Sequence, residues 1–381
     1  MLRLIRLRLT EFRSWASLDA HFDAPVVVIA GENGAGKTNL LEAISLLGPG
    51  RGLRGARMGE LGRRVDGAAR PWAAAGRFAT PQGSFDIGTG ADPEGPSDRR
   101  QFRLDGQPVR TQADLADHIA AVWLTPQMDR LFQESASGRR RFLDRLVWAL
   151  EPTHAREVAA HDNAMSQRNR LLAGGRADPG WLAGLEDAMA RHAVAATAAR
   201  RALVSRLNGV MASGTATGAF PAARMGLVCP IAEALAEQPA LAVEDALRAA
   251  LAADRRRDAA AGGAARGAHR ADMALIHLPK DQPAELCSTG EQKALLISTV
   301  LAHAALIAEA RGFAPMLLLD EVAAHLDVTR REALFAALAA LPAQAFLTGT
   351  DPEVFRPLQG IADRFRARPG ILVPEGECGS P

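Results

Sequence analysis

The chain has 381 residues, 48% apolar and 23% charged, so it has the balance of an ordinary globular protein and enough length for two domains or one domain with a large insertion. Its formal charge is only +2, from 45 basic against 43 acidic residues, which excludes a uniformly polycationic nucleic-acid binder and leaves any polyanion site to a local patch. Cys229, Cys287 and Cys378 are too far apart for a metal motif or a disulfide framework, as expected in a reducing cytoplasm.

MLRLIRLRLTEF at the N-terminus alternates Leu2, Leu4, Leu7 and Leu9 with arginines, which predicts a strand and no export signal. PVVVIA at 25 to 30 predicts a buried strand. Leu40, Leu41, Ile44 and Leu47 then fall at helical spacing and stop at GPGRG. Residues 71 to 110 predict short strands with a hairpin at Asp105-Gly106, followed by a helix from about Thr111 and a strand at AVWLTP. From Ser137 to Ala265, Ala, Leu, Arg and Glu dominate, with breaks at GGRADPG and SGTATGAFP, so a helical insertion without a heptad repeat is expected. ADMALIHL, PMLLLDE and AQAFLTGTD predict further strands, and the apolar run at 294 to 308 is too short to span a bilayer and predicts a buried helix. The pattern is α/β: a parallel sheet with crossover helices, interrupted by a helical arm. The expected division is 1–133 and 267–381 for the head and 134–266 for the arm.

Only three of the basic residues are lysines: Lys37, Lys280 and Lys293. Lys37 lies in GENGAGKTN, where Gly31 to Thr38 fits the phosphate-binding loop G-x-x-x-x-G-K-[ST] between a predicted strand and a predicted helix. Glycines there let backbone amides close around phosphates, and a compact ammonium fits where a planar guanidinium does not. The expected ATP-binding residues are Gly31, Glu32, Asn33, Gly34, Ala35, Gly36, Lys37, Thr38 and Asn39. PMLLLDE supplies two acids at a strand end: Asp320, which with Thr38 would hold Mg2+, and Glu321, the expected catalytic carboxylate. GTPases and small kinases place such a strand much closer to the loop. Cys287-Ser288-Thr289-Gly290-Glu291-Gln292-Lys293 precedes it and resembles the signature of ATP-binding-cassette ATPases, and Ala323 to Asp327 resembles their D-loop.

Nearly the whole chain resembles the RecF family, bacterial recombination-mediator ATPases related to SMC heads. LRLTEFRSW, GENGAGKTNLLEAI, LTPQMDRLFQ with GRRRFLD, NAMSQRNRLL, GAHRAD and CSTGEQK carry the likeness, while Gln127, Ala268 and Ala271 depart from the family's pattern. The resemblance implies an SMC-like P-loop ATPase head with an inserted helical arm, and an ATP-dependent homodimer. In that dimer Ser288, Gly290, Glu291, Gln292 and Asp327 of one subunit would close on the nucleotide of the other. It also implies a nucleotide-side role for Arg13, and Thr350 at the position of the switch histidine. Slow DNA-stimulated hydrolysis is expected, with DNA bound at gaps, at junctions of single and double strands, or as duplex. RecR, RecO and indirectly RecA are the implied partners, in the cytoplasm and with no membrane. Arg139, Arg140 and Arg141 are the densest basic cluster and the candidate DNA contacts, against a structural reading in which they pair with Asp144 or dock the arm on the head. His269 and Arg270 are a further candidate contact to the arm or to DNA. A transporter ATP-binding subunit is the alternative, opposed by the wide separation of Lys37 from Ser288. A P-loop metabolic kinase would have no use for the signature.

Overall fold

The computed structural model describes residues 1–92, 100–109, 112–175, 178–214 and 220–375. The chain divides into two compact units: 1–129, 214–220 and 296–381 in the first, 130–213 and 221–295 in the second.

The first unit opens with β1 (Arg3–Phe12) and β2 (Trp15–His21), an antiparallel hairpin, followed by β3 (Val26–Ala30) and α1 (Lys37–Leu47). The buried leucines of β1 are as expected: Leu4, Leu7 and Leu9 are buried and Arg8 and Thr10 exposed, with a register shift between Leu4 and Arg6 that keeps Leu4 on the buried side. A small ribbon of β4 (Arg64–Val65) and β5 (Ala68–Ala69) precedes β6 (Ala73–Thr80), β7 (Gly83–Ala91), β8 (Arg100–Leu104) and β9 (Gln107–Pro108). Asp105 and Gly106 join the last two, both with positive φ, as a two-residue hairpin turn requires. The first sheet runs β2-β1-β6-β7-β8-β9. α2 (Gln112–Ala116) and β10 (Ala121–Leu124) follow, and Thr111, the expected helix start, lies outside the described residues.

The second unit holds α3 (Ala136–Leu150), α4 (His154–Ala173), α5 (Pro179–Ser213), β11 (Ala223–Val228), α6 (Pro230–Glu237), α7 (Ala240–Ala253), α8 (Arg255–Ala261), β12 (Asp272–His277) and β13 (Gln282–Pro283). The arm is not purely helical, because β11 pairs antiparallel with β12 over the full length of both. The strand expected at ADMALIHL therefore belongs to a β11-β12-β13 sheet of this unit, and residues 267–295 pack with the arm. Its core gathers Met189, Ala193 and Val194 of α5 with Val243, Leu247 and Leu251 of α7.

The division between the units falls within α9 (Thr289–Arg311). At 23 residues α9 is long and apolar enough to cross a membrane, yet 78% of its apolar window is buried inside the protein, which marks a core helix. β14 (Met316–Leu319), α10 (Val328–Ala340), β15 (Ala345–Gly349), β16 (Ala362–Arg368) and β17 (Ile371–Pro374) complete the first unit. The second sheet there runs β10-β14-β15-β3-β16-β17, parallel from β10 through β16. Every residue of β3, β14 and β15 is buried, as the unbroken apolar runs predict for a parallel sheet covered on both faces. The fold is α/β, as expected.

Candidate functional site

In an open parallel sheet, ligands bind beyond the carboxyl ends of the strands. β15 lies between β14 and β3, so the chain leaving β3, the acids leaving β14 and the end of β15 meet at one edge. The loop from Gly31 to Gly36 starts there. Gly31 donates its amide to the Gly349 carbonyl of β15 at 3.1 Å, and a Cβ at Gly31 would sit 2.4 Å from the Ala367 carbonyl oxygen, so only glycine fits. Gly36 caps α1 in the left-handed conformation (φ 94°) and offers no capping side chain, which leaves the first-turn amides of α1 open to an anion.

Lys37 is 5% exposed. Its Nζ donates to the carbonyls of Gly31 (2.7 Å) and Glu32 (3.0 Å) and lies 3.3 Å from Glu321 Oε1. Thr38 Oγ1 stands 2.9 and 3.0 Å from the two oxygens of buried Asp320. Glu321 adopts a left-handed backbone (φ 53°), unfavourable for a residue with a Cβ, which turns its carboxylate toward Lys37. The turn is held by Thr348 on β15. Its Oγ1 donates to Asp320 Oδ1 at 2.7 Å and accepts the Glu321 amide at 3.1 Å. Thr348 is not among the residues expected from the sequence, which places the switch position at Thr350. Thr350 is exposed just past the end of β15.

A second layer supports α1. Asn39 donates to Ser14 Oγ and accepts from Arg54. Arg13, expected beside the nucleotide, gives Nε and Nη2 to the two oxygens of Glu42 (2.9 Å each) and Nη1 to the Glu60 carbonyl. Glu42 is 1% exposed, so its charge needs this fork, which ties Arg13 to α1. Asp327 is the N-cap of α10, accepting the Arg330 amide at 2.8 Å, with its side chain largely exposed. Gln127 is exposed in the turn Pro126–Arg130.

In the second unit, Ser288 and Glu291 form a capping box at the start of α9. The Ser288 amide and hydroxyl both donate to Glu291 Oε2, at 3.0 and 2.9 Å, and Lys280 pairs with the other oxygen. These donors pull the Glu291 carboxyl down to about 2. Gln292 is buried and turns inward, donating Nε2 to the Cys287 carbonyl.

The RecF/RecN/SMC N terminal domain model matches residues 3–368. A DNA replication and repair protein RecF of Rhizobium etli (strain CIAT 652) is 45% identical over 367 residues, 96% of this chain and 97% of its own. The chain belongs to the RecF family. The RecF of Mesorhizobium japonicum is 46% identical over 369 residues, 97% of each chain. Among solved structures, one described as the recombination mediator protein RecF-ATPrS in the RecFOR pathway superposes with a TM-score of 0.83 over 98% of both chains, at 21% identity. An Smc head domain of Pyrococcus furiosus bound to the C-terminal domain of ScpA reaches 0.50 at 16% identity, covering 98% of this chain and 96% of that one. At those identities the likeness bears on the fold, which is the SMC-like P-loop ATPase head.

The arginine cluster at 139–141 is split by the structure. Arg139 forms a fork onto both oxygens of Asp272 (2.8 and 2.7 Å) and donates to the Glu134 carbonyl. Arg140 is half-buried and donates to the Ala271 carbonyl, and burial pushes its guanidinium below its ordinary value. Arg141 alone is exposed. Of the three arginines expected to face DNA, Arg139 and Arg140 tie α3 to Asp272 and Ala271 within the arm. Asp144, the expected structural partner of the cluster, is taken by Arg200 and His154. His269 stacks on His161 and binds the Ala264 carbonyl, which Arg270 also reaches, a structural role within the arm.

Proposed function

We propose that this chain is an ATP-dependent, DNA-binding recombination mediator of the RecF type. The observation that carries the reading is the convergence of Lys37, Thr38, Asp320, Thr348 and Glu321 at the carboxyl edge of one parallel sheet. The open amides of α1 and the loop from Gly31 to Asn39 bind the phosphates of ATP, and Lys37 exchanges its carbonyl partners for phosphate oxygens. Thr38 and Asp320 are hard oxygen donors, the type that suits Mg2+, which would offset charge on the β- and γ-phosphates. Glu321 orients a water and takes its proton as the water oxygen bonds to the γ-phosphorus and the bond to the bridging oxygen breaks, releasing ADP and phosphate.

The first turn of α9 at Ser288, Gly290, Glu291 and Gln292, together with Asp327, serves the nucleotide of a second copy, and Thr350 acts near the γ-phosphate. ATP thus drives a homodimer that binds gapped DNA or a junction of single and double strands. With RecR and RecO it aids RecA loading in the cytoplasm, and slow DNA-stimulated hydrolysis releases it. The names of the relatives and the long insertion between loop and signature support this reading over a transporter subunit.

The test is sedimentation of the purified chain with Mg2+, with and without ATP, and with and without gapped DNA. A monomer that becomes a DNA-bound dimer only with ATP is expected. A chain that stays monomeric in ATP, or that binds DNA equally without it, would reject the reading.

A further inference from the structure

On the first sheet, alternation buries Leu7, Leu9, Phe78, Ile87 and Phe102 and turns their neighbours to the opposite face. The strand register then assembles a row that no local pattern displays. Arg8 faces Ala75, Ala75 faces Gly88, and Gly88 faces Arg103. Across β1, β6, β7 and β8 the outer face therefore reads Arg-Ala-Gly-Arg. Three strand spacings of about 4.8 Å set the two arginines about 14 Å apart, with nothing larger than a methyl group between them.

The charges differ from row to row. In the neighbouring row Arg6 pairs with Asp19 and Arg77 with Asp86, so those charges are balanced. Arg8 and Arg103 are exposed, and among the described residues neither forms an ion pair; Arg103 only reaches the Gly106 carbonyl at 3.5 Å. Asp19 stands opposite Arg8 in the register, but both its oxygens are taken by Arg6.

Gly88 is the informative position. Its backbone does not occupy the left-handed region, and a Cβ added there would meet only the Cβ of Arg103, at 4.0 Å. At Gly90, by contrast, a Cβ would strike the Trp72 carbonyl oxygen at 2.7 Å, so packing demands glycine. Glycine weakens a strand interior and commonly marks a close approach from outside the sheet. Neither conformation nor packing calls for it at 88, so what it preserves is the space above the sheet.

We propose that this trough, floored by Ala75 and Gly88 and flanked by Arg8 and Arg103, seats the sugar-phosphate backbone of duplex DNA. The inference rests on the reading of the chain as a DNA-binding protein and names the surface used. Guanidiniums that form no ion-pair fork of their own, on either side of this floor, suit phosphate oxygens, which carry no sequence information. No aromatic side chain lines the trough among the described residues, so it lacks the stacking platform on which single strands are held, and duplex is the fitting occupant.

Two variants test it: Arg8→Ala with Arg103→Ala, and Gly88→Val, which fills the trough without changing charge. Both are compared with wild type by fluorescence anisotropy on a short duplex over a range of salt, with thermal melts and DNA-free ATPase rates as controls. The double variant should bind about tenfold more weakly, and its slope of log K against log salt should fall by about 1.8 for two lost phosphate contacts. Gly88→Val should melt no lower than wild type and also lose duplex affinity, while DNA-free ATPase rates stay unchanged in both. Wild-type affinity in Gly88→Val would overturn the trough, even if the double variant binds less, because bulk charge would then explain that loss. Failure of the wild-type protein itself to bind duplex at low salt would overturn the DNA-binding reading along with it.

Discussion

Thr348, fully buried on β15, donates its hydroxyl to Asp320 at 2.7 Å, 28 residues earlier at the end of β14. The same oxygen receives the Glu321 amide, so one side chain fixes both acids. Thr348→Val keeps the shape and removes both bonds, leaving the Glu321 amide without its partner. A loss of about 1–3 kcal/mol is expected. Thermal unfolding should show it, and the variant's ATP turnover should fall while Thr348→Ser stays near wild type. Unchanged turnover in Thr348→Val would separate this hydroxyl from the chemistry.

Lys37→Arg should abolish ATP binding in a folded protein. The Nζ sits among the Gly31 and Glu32 carbonyls and the Glu321 carboxylate, 5% exposed, where a planar fork cannot turn without displacing the loop. Equilibrium binding of a fluorescent ATP analogue is the measurement, with circular dichroism as the folding control, and wild-type affinity would contradict the steric argument.

Glu321→Gln should keep ATP affinity and lower turnover by about 10²–10⁴-fold, because the amide keeps the shape but cannot take the proton. Its loss of charge also frees Lys37 from a neighbour at 3.3 Å, so binding has no reason to weaken. Single-turnover hydrolysis decides the matter, and a wild-type rate would remove Glu321 from the catalytic role.

Glu291 sets a pH dependence at the start of α9. Its folded carboxyl, lowered by Lys280 and by the Ser288 amide and hydroxyl, titrates at about 2 against an ordinary 4.5. A depressed carboxyl contributes stability above the ordinary value and loses it as pH falls through the folded one, so the window is pH 4.5 down to about 2. Carboxyl NMR should place the midpoint near the lower end, and Glu291→Gln should flatten local amide protection across that window. A midpoint near 4.5 would mean that the capping box does not hold in solution.

Arg139→Ala and Arg141→Ala should part company. Removing the fork on Asp272 breaks charge-assisted bonds in a partly buried setting and should cost about 1–3 kcal/mol of stability. Arg141→Ala, on the surface, should stay within about 0.5 kcal/mol of wild type. Denaturant melts compare them, and equal stabilities would return Arg139 to the surface.

The amino-acid sequence by itself determined the local devices. Gly31 to Thr38 with a β-branched run before it and helical spacing after it, the apolar strand ending in Asp320 and Glu321, the Asp105-Gly106 turn and the signature from Cys287 to Lys293 each lie within about two dozen residues. Periodicity and backbone preference over such a span are enough to make them legible. Tertiary structure decided every pairing set by sheet order. Thr348 meets Asp320 because β15 lies beside β14, Arg139 finds Asp272 from 133 residues away, and Arg8 shares a row with Arg103 through two intervening strands. β11 is not legible in the sequence for the same reason: its six residues contain Gly226 and lie amid helical sequence, and their partner β12 begins only at Asp272. A strand so short is stabilised by its cross-strand neighbour, and that neighbour is supplied by the fold.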